Sequence, residues 1–393
     1  MNKNHIIKLK TKFKIKSLFE HFVFLATIIF LLPNDYINLI PNLSYILYGS
    51  VFTLFVYILI FHTNPFFKSI KRNFIIIMPF IISCLSSIIN KNDVYLSLYH
   101  LFYMVLILMV VYYFFDKNKI NQSLIYLEKV MFLLLCLNLF VAFINNGPLL
   151  YSESGGRIYL IFEGNIGKMI LNDLVLIFIL YHKINYRYFL RFIIYLLIIM
   201  NIHVSSTTCF SIIFFLFLVL INHLSGLKDI LTQYKLILFI IILLDVLIIS
   251  GIGTNMLAFL FDKSNTLSGR SIIWENILKI ISYNLLIGIG ANASLTSIVG
   301  NFAIGATHAH NQLLQILLTS GITGLFCYGC FLNRLTNIKY SVKNKKMYTI
   351  YMKYLMAIFI FNITGNGFDN FFYLISIIML ESNRFVENKK VFQ

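Results

Sequence analysis

The chain has 393 residues, of which 59% are hydrophobic and only 12% are charged. Soluble domains carry about 25% charged residues, so this composition excludes an ordinary soluble protein and indicates a chain that crosses a membrane many times. The net charge of +17 fits either a polyanionic partner such as nucleic acid or the orientation signal of a membrane protein, and the positions of the basic residues decide between them.

Long apolar segments recur along the whole chain and predict an all-α, polytopic helical bundle with about twelve transmembrane helices. No stretch has the composition of a separate soluble domain, so we expect residues 1–393 to form a single integral membrane domain. The predicted spans are 18–33, 43–62, 73–90, 94–115, 124–144, 166–182, 187–204, 206–224, 235–253, 311–332, 348–364 and 369–383.

The basic residues are divided unevenly between the two sides of this predicted topology. With a cytoplasmic N-terminus, 26 of the 32 lysines and arginines fall in cytoplasmic loops and tails, and 6 fall on the opposite side. Such a bias orients membrane proteins. We therefore expect both termini in the cytoplasm, and we attribute the basic excess to orientation, with no nucleic-acid partner.

Two connections on the extracytoplasmic side are long, residues 145–165 and residues 254–310. In the larger loop, residues 271–286 place isoleucines on one helical face and polar residues on the other, which predicts a helix lying in the membrane interface. Gly288 and Gly290 follow this helix, as glycines commonly do at a helix end. The apolar face consists of Ile273, Ile277, Ile280 and Ile281.

A polar segment opens the tenth predicted span. Asn311 stands where an N-cap would satisfy the free backbone donors of the helix. His310 precedes it and His308 lies two residues earlier. Imidazole titrates near neutrality, so a positioned histidine can accept a proton from a hydroxyl group. The same segment also fits a histidine that merely anchors the end of a span.

Two glycines, Gly321 and Gly324, lie deeper in the same predicted span. At 1.5 Å per residue, Gly321 is about 15 Å along the helix from Asn311. Small residues at this spacing let a neighbouring helix approach closely within a membrane. We therefore expect a structural packing role for both glycines.

Arginine is scarce on the extracytoplasmic side of the predicted topology. Arg157 and Arg270 are the two that fall there, one in each long loop. A guanidinium group is always charged and its fork of donors suits a diphosphate. Together with His310 they predict a site for a lipid diphosphate donor, and an ordinary interfacial arginine is the alternative for each.

Two acidic residues, Asp173 and Asp245, fall inside predicted spans. A charge at the centre of a membrane costs at least about 2.5–3.5 kcal/mol, so each is expected to have a partner. Lys168 lies within about a turn of Asp173 and is a candidate partner. Structural pairing and function stay open for both acids. The loops contain no metal-binding pattern, and we expect neither a metal nor a cofactor.

These motifs together resemble the O-antigen ligase and O-antigen polymerase superfamily of bacterial polysaccharide assembly. The family pattern of His-Asn, nine residues and Gly-x-x-Gly is met by His310-Asn311 and by Gly321 to Gly324. Residues 268–274 and Gly288 to Gly290 are similar to the large outer loop of the family. Arg157, which precedes a span, is similar to the arginine of its earlier outer loop. The resemblance covers about residues 150–330.

This resemblance implies a glycosyltransferase of the bacterial cytoplasmic (inner) membrane. The implied donor is a glycan carried on undecaprenyl diphosphate, transferred to a glycan acceptor at the outer face without a metal or cofactor. It implies His310 as the general base and Arg157 and Arg270 as clamps on the diphosphate. His308 and Asn311 are then expected to contact the substrate, and a chain-length regulator protein is a partner that such polymerases can have.

The junction between the seventh and eighth predicted spans departs from the ligases of this superfamily. Ligases typically carry an arginine there, whereas residues 203–210 of this chain read His-Val-Ser-Ser-Thr-Thr-Cys-Phe. The missing arginine favours a polymerase, which joins one lipid-linked repeat unit to another. The alternative is an O-antigen ligase that transfers the glycan to the lipid A core.

A transporter for lipid-linked oligosaccharide, a flippase, is the candidate from a different functional class. Twelve spans suit such a protein, and transporters commonly have repeated halves with sites near the bilayer midplane. Asp173 and Asp245 are the residues that favour transport. The halves of this chain differ, however, and its polar motifs lie in the outer loops, so the transferase is the preferred interpretation.

Overall fold

The computed structural model describes residues 43–61, 67, 70–116, 118–151, 157–181, 186–202, 204–221, 234–251, 270–291, 308–338 and 345–386. Most of them are helical and almost none are in strands, which confirms the all-α prediction. The helices are α1 (Leu43–Phe61), α2 (Phe74–Ile89), α3 (Val94–Asp116), α4 (Ile120–Ile144), α5 (Glu163–Tyr181), α6 (Tyr186–Ile202), α7 (Ser206–Ile221), α8 (Tyr234–Ile249), α9 (Arg270–Tyr283), α10 (Gln312–Thr336), α11 (Lys345–Asn362) and α12 (Asn370–Val386).

The described part of the chain contains one small β-hairpin between α4 and α5. Its strands are β1 (Leu150–Tyr151) and β2 (Arg157–Ile158), which pair antiparallel. The buried side chain of Asn138 on α4 holds the chain that follows, because its Oδ1 accepts hydrogen bonds of 3.0 Å from the backbone N–H groups of residues 160 and 161. The hairpin is therefore fixed to the helical bundle.

The helices agree with the predicted spans. Each predicted span from residue 43 onward coincides with a described helix, and the span predicted at 18–33 lies outside the described residues. Among the described helices, α3, α4, α5 and α10 are long and apolar enough to cross a membrane, and shorter apolar helices accompany them. The fold is that of a polytopic helical membrane protein.

The bundle is centred on helices that are buried on all sides. On α3, every residue from Leu106 to Val111 is at most 1% exposed, and a helix that is apolar all round belongs in a core. On the outside of the bundle, by contrast, large apolar side chains are exposed. Examples are Met200, which is 74% exposed, and Phe326, which is 71% exposed. Apolar surface of this extent suits contact with lipid.

Helix α9 packs its predicted apolar face against the start of α10. Ile273, Ile277 and Ile281 are buried in one cluster with Leu314 and Leu318. The polar side of α9 is exposed, as the amphipathic pattern predicts. This packing brings the large loop onto the end of α10 at which the two histidines lie.

Candidate functional site

The two histidines lie in a tight turn that directly precedes α10. Ala309 between them is fully buried and both of its backbone polar groups are bonded. Its carbonyl accepts from Nε1 of Trp274 at 2.9 Å, and its N–H donates to Oε1 of Gln315 at 2.8 Å. The rings of His308 and His310 lie beside each other, with centroids 4.4 Å apart and planes inclined at 45°. Helices α9 and α10 thus hold the histidine pair from both sides.

His310 has a left-handed backbone conformation, with φ of 51°. Non-glycine residues rarely adopt this region, although histidine does so more readily than most. The conformation costs on the order of 1–3 kcal/mol and persists only where neighbouring contacts fix it. The bonds to Ala309 supply that constraint on one side, and Asn311 supplies it on the other.

Asn311 caps α10, as its position predicts. Its Oδ1 accepts from the N–H of Leu314 at 2.9 Å. Its Nδ2 donates to Oδ1 of Asp245 at 2.7 Å and to the carbonyl of Ile363 at 3.0 Å. Asp245 therefore has a partner, in the cap of the histidine-bearing helix, and α8 is tied to the site. Whether Asn311 also contacts substrate stays a prediction.

Arg270 is the first residue of α9, one turn before Trp274. Burial of this half-buried side chain lowers the pKa of its guanidinium. Burial lowers the pKa of His310 to about 4, with a further decrease from the charge of Arg270. Burial likewise lowers the pKa of His308 to about 3, and electrostatic interactions with His310, Lys168 and Arg270 lower it further. Both histidines are consequently neutral at pH 7, beside two cations.

Lys168 belongs to this site and not to Asp173, so the suggested pairing of these two residues is wrong. Its Nζ donates to the carbonyl of Asn366 at 2.6 Å, and its charge acts on His308 and on the carboxyl group of Asp369. Asp173 instead accepts from the hydroxyl of Tyr195 and lies 3.8 Å from Arg191. Helical spacing allowed a contact with Lys168, but the packing of α6 against α5 provides the closer cation.

Arg157 lies in β2, where it pairs with Tyr151 across the hairpin. Burial raises the pKa of Tyr159. The charge of Arg157 and its hydrogen bond to the phenol both oppose this rise. Among the described contacts, none joins Arg157 to the histidines or to Arg270. The structure therefore brings together Arg270 and the two histidines, and Arg157 is held in the neighbouring loop by its own local contacts.

Helix α10 is broken at Gly321, and this differs from the helix packing predicted for that glycine. Gly321 has φ of 64° and ψ of −163°. The loop after α9 fills the break: the N–H groups of Ile322 and Thr323 donate to the carbonyls of Leu285 and Leu286 at 2.9 and 3.1 Å. A Cβ at Gly321 would lie 2.4 Å from the backbone of Leu286. Among the described residues, the backbone of this loop makes the close approach.

The same loop also forms hydrogen bonds with the residues that precede the break. The N–H groups of Ile289 and Gly290 donate to the carbonyls of Leu318 and Thr319 at 2.7 and 3.1 Å. Gly288 is needed here because a Cβ would lie 2.5 Å from the carbonyl oxygen of Leu318. Carbonyl groups freed by the interrupted helix are thereby satisfied within the protein, which is the condition for irregular backbone at membrane depth.

Gly324 has a different role from Gly321. A Cβ there would meet the side chain of Ser320, one turn earlier on the same helix, at 1.9 Å. Ser320 is buried and its hydroxyl donates to the carbonyl of Ile316 at 3.0 Å. Gly324 therefore leaves room for a serine of its own helix, and the approach of a neighbouring helix predicted at this glycine is not confirmed.

A cavity of about 500 Å³ lies against the histidine turn. Its volume is within the ~300–1,000 Å³ range of small-molecule sites. His308 is part of its wall, whereas His310 is not among the described residues that line it. The other walls come from α2, α3, α10, α12, the loop after α9 and the connection between α11 and α12. The residues of these walls include Phe80, His100, Gln312, Asn366 and Tyr373.

Sequence reasoning missed three residues that build this site. Trp274 and Gln315 hold the histidine turn, and Lys168 adds a second cation. The contacts of Trp274 and Lys168 join different elements, so no local pattern signals them, whereas the bond between Gln315 and Ala309 spans only six residues and was overlooked. Within the described residues, no three His, Cys, Asp or Glu side chains lie close enough together to hold a metal ion.

The chain is similar to one known family over its central part. Residues 174–329 match a family model described as O-antigen ligase. The matched segment contains Asp245, Arg270, the histidine turn and the break in α10, whereas Arg157 and Lys168 precede it. No curated protein and no solved structure matches the chain.

Proposed function

Because the match at residues 174–329 supports the O-antigen ligase and O-antigen polymerase superfamily, we propose that this chain is a glycosyltransferase. It joins oligosaccharide repeat units carried on undecaprenyl diphosphate into O-antigen or capsular polysaccharide. One observation carries the proposal: two adjacent histidines that stay neutral at pH 7 lie within the electrostatic reach of cationic side chains, and one of them, His308, lines a cavity of ligand size.

The reaction assigned to this site is a displacement at an anomeric carbon. His310 takes the proton from the acceptor hydroxyl as its oxygen forms the new glycosidic bond. The bond between the anomeric carbon and the phosphate oxygen breaks, and its electron pair leaves with the diphosphate. The products are the lengthened glycan and undecaprenyl diphosphate. Preorganised charge of this kind stabilises a leaving group more effectively in a dry site than in water.

Arg270 and Lys168 are the cations that offset the charge of the leaving diphosphate in this proposal. Both act on His308, and Arg270 also acts on His310. Arg157 is assigned the same role from the neighbouring loop. A bound diphosphate opposes the positive field that lowers the pKa of His310, so the base becomes stronger when the donor is present. His308 and Asn311 then shape the substrate site around the base.

Polymerisation is favoured over ligation by the junction that precedes α7. Where ligases typically carry an arginine, this chain has neutral hydroxyl groups: Ser205 bonds Thr208 at 2.6 Å, and Thr207 bonds Thr364 at 2.7 Å. His203 lies outside the described residues. The second candidate is an O-antigen ligase that uses the same donor and transfers the glycan to lipid A core.

Transport by a flippase is less favoured because the two acids that suggested it have structural partners. Asp245 bonds the cap of α10, and Asp173 lies beside Arg191 and Tyr195.

We place the chain in the bacterial cytoplasmic membrane as a single integral membrane domain with both termini in the cytoplasm. Residues 145–165 and 254–310 then face the outside, where lipid-linked repeat units are joined. The uneven distribution of basic residues supports this orientation. A chain-length regulator protein is the protein partner proposed for such a polymerase.

A deletion strain tests this function. Surface glycan is compared by gel after re-expression of the wild type or of His310→Ala. A polymerase defect leaves core that carries a single repeat unit, whereas a ligase defect leaves bare core and polymer on the carrier lipid. Normal chain length with His310→Ala would overturn the mechanism. In a Gram-positive host the same comparison is made on capsule size.

A further inference from the structure

The cavity beside His308 differs chemically from the cationic side of the histidine turn. None of the described residues that line it is Asp, Glu, Lys or Arg. His308 itself is neutral at pH 7, because burial lowers its pKa to about 3. A diphosphate in this cavity would contact no cation among these lining residues, although Lys168 bonds the backbone carbonyl of Asn366 in the wall. The cavity is therefore suited to an uncharged part of the substrate.

The polar side chains that line the cavity suit a ligand that both donates and accepts hydrogen bonds. Oδ1 of Asn366 is buried and has no hydrogen-bond partner among the described residues. Gln312 and Gln315 use their Oε1 atoms within the protein, accepting from the N–H groups of Phe368 at 3.2 Å and Ala309 at 2.8 Å. Among the described contacts, none uses their NH₂ groups, which can therefore donate to a ligand. A buried acceptor without a partner costs about 1–3 kcal/mol, which a ligand hydroxyl would recover.

Aromatic rings form another part of the cavity wall. Tyr328 and Phe368 are stacked at 5.9 Å, and Phe80 and Tyr373 meet edge to face at 5.7 Å. The two tyrosine hydroxyls bond each other at 2.5 Å, so the rings present mainly carbon surface. Amide groups beside flat aromatic faces suit a pyranose ring, which has hydroxyls at its edge and C–H groups on its faces. A hydrocarbon chain would leave Asn366 without a partner.

We propose that this cavity binds the sugar of the acceptor that carries the reacting hydroxyl, as an uncharged sugar residue. The proposal rests on the proposed glycosyl transfer and adds a location for one of its two substrates. His308 lines the cavity, and the charges of Arg270 and Lys168 act on it. A sugar in the cavity then places a hydroxyl beside the histidine pair, and the diphosphate of the donor is assigned to Arg270 and Lys168.

Binding to the purified protein in lipid nanodiscs tests this assignment without requiring turnover. The two probes are the repeat-unit oligosaccharide released from its carrier and undecaprenyl diphosphate without sugar. The single tryptophan, Trp274, bonds the histidine turn and reports binding by fluorescence. In Asn366→Leu and Thr319→Phe, we expect the Kd of the oligosaccharide to rise roughly tenfold or more, with the Kd of undecaprenyl diphosphate unchanged within about twofold.

Phe326→Leu is the matched control, because Phe326 lies on the same helix with its side chain 71% exposed. Retained binding of undecaprenyl diphosphate shows that each cavity variant is folded. Wild-type oligosaccharide affinity in both cavity variants, or no oligosaccharide binding by the wild type, would overturn the assignment. Selective loss of undecaprenyl diphosphate binding in the cavity variants would also overturn it, because the cavity would then bind the carrier lipid. Failure of the proposed function can be distinguished from failure of this assignment, because it would appear as full glycan transfer by His310→Ala.

Discussion

His310 combines three properties that rarely coincide in one residue. Its backbone is left-handed, its imidazole is neutral beside an arginine, and its neighbours on both sides are fixed by buried hydrogen bonds. Strain of this kind clusters at functional sites, where the surrounding structure maintains it. A neutral imidazole can accept a proton, so these properties agree with the role of base.

The charge of Arg270 has a measurable effect on the histidine pair. Burial is the larger cause of the low pKa of His310, and Arg270 lowers it further. In Arg270→Gln we expect the pKa of His310 to rise above about 4 but to stay below 6.5, because burial remains. NMR titration of the labelled imidazoles measures this. Lys279→Gln is the control, since Lys279 is exposed and paired with Glu275 on the same helix.

The sign of this effect sets the pH profile of the wild type. A base with a depressed pKa stays unprotonated as the pH falls, so the acid limb of kcat/KM is expected well below pH 6.5, approaching the pKa of about 4. An acid limb near 6.5, or a decrease in the pKa of His310 in Arg270→Gln, would show that the two side chains do not interact as described.

Asn311 is expected to be a stability determinant. Asn311→Ala removes the cap of α10, which is worth about 1 kcal/mol, and leaves the buried Asp245 oxygen without its partner, at a further cost of about 1–3 kcal/mol. The free energy of unfolding, followed by SDS titration, should fall by roughly 2–4 kcal/mol. Asn276→Ala, at an exposed amide on α9, should change it by less than about 0.5 kcal/mol. Equal effects of the two variants would refute this account of Asn311.

At the scale of elements, the break in α10 links the large loop to the histidine helix. The loop after α9 pairs its backbone with residues on both sides of Gly321. This interaction fixes α9, and therefore Arg270 and Trp274, relative to the turn at His308. The histidine pair is consequently positioned by a loop and a helix that are far apart in sequence.

Gly321→Ala should disrupt this arrangement. A non-glycine residue at φ of 64° costs about 1–3 kcal/mol, and its Cβ would overlap the backbone of Leu286, with a similar further cost. We expect a large loss of thermal stability and of glycan transfer. Gly329→Ala on the same helix has nothing within 4 Å of the added Cβ and should be neutral or slightly stabilising. Wild-type stability of Gly321→Ala in a thermal unfolding assay would contradict the structure of the break.

The sequence predicted the elements better than their contacts. Periodicity predicted α9 and its apolar face, and the N-cap pattern predicted the role of Asn311. The break at Gly321 was not predicted, because a Gly-x-x-Gly pattern in a span is also typical of close helix packing. The partners of Lys168 and Asp173 were missed because tertiary packing chooses among side chains that helical spacing alone allows.

At the scale of the whole molecule, hydropathy alone was sufficient for the described spans. Each predicted span from residue 43 onward contains a helix, because about twenty apolar residues have few alternatives to a spanning helix. The cavity could not be predicted in the same way. Its walls combine residues from Phe80 to Tyr373, and no local pattern records that these segments meet.

The orientation in the membrane is a prediction at this scale. The concentration of lysine and arginine on one side places both termini in the cytoplasm. A green fluorescent protein fused to the C-terminus should fluoresce, and alkaline phosphatase fused after residue 291 should be active outside. An active phosphatase fused to the C-terminus would show that the topology is the reverse of the prediction, with the histidine turn on the cytoplasmic side.

The central claim is that the site formed by Arg270, His308 and His310 transfers glycan from a lipid diphosphate. The most direct test is transfer by the purified protein in nanodiscs, with radiolabelled lipid-linked repeat unit isolated from the deletion strain. The wild type and Gly329→Ala should release one undecaprenyl diphosphate for each glycosidic bond formed. His310→Ala and Arg270→Ala should lose at least about a hundredfold in rate, as removal of a base or a charge stabiliser typically does. Transfer at the wild-type rate by His310→Ala would contradict the account.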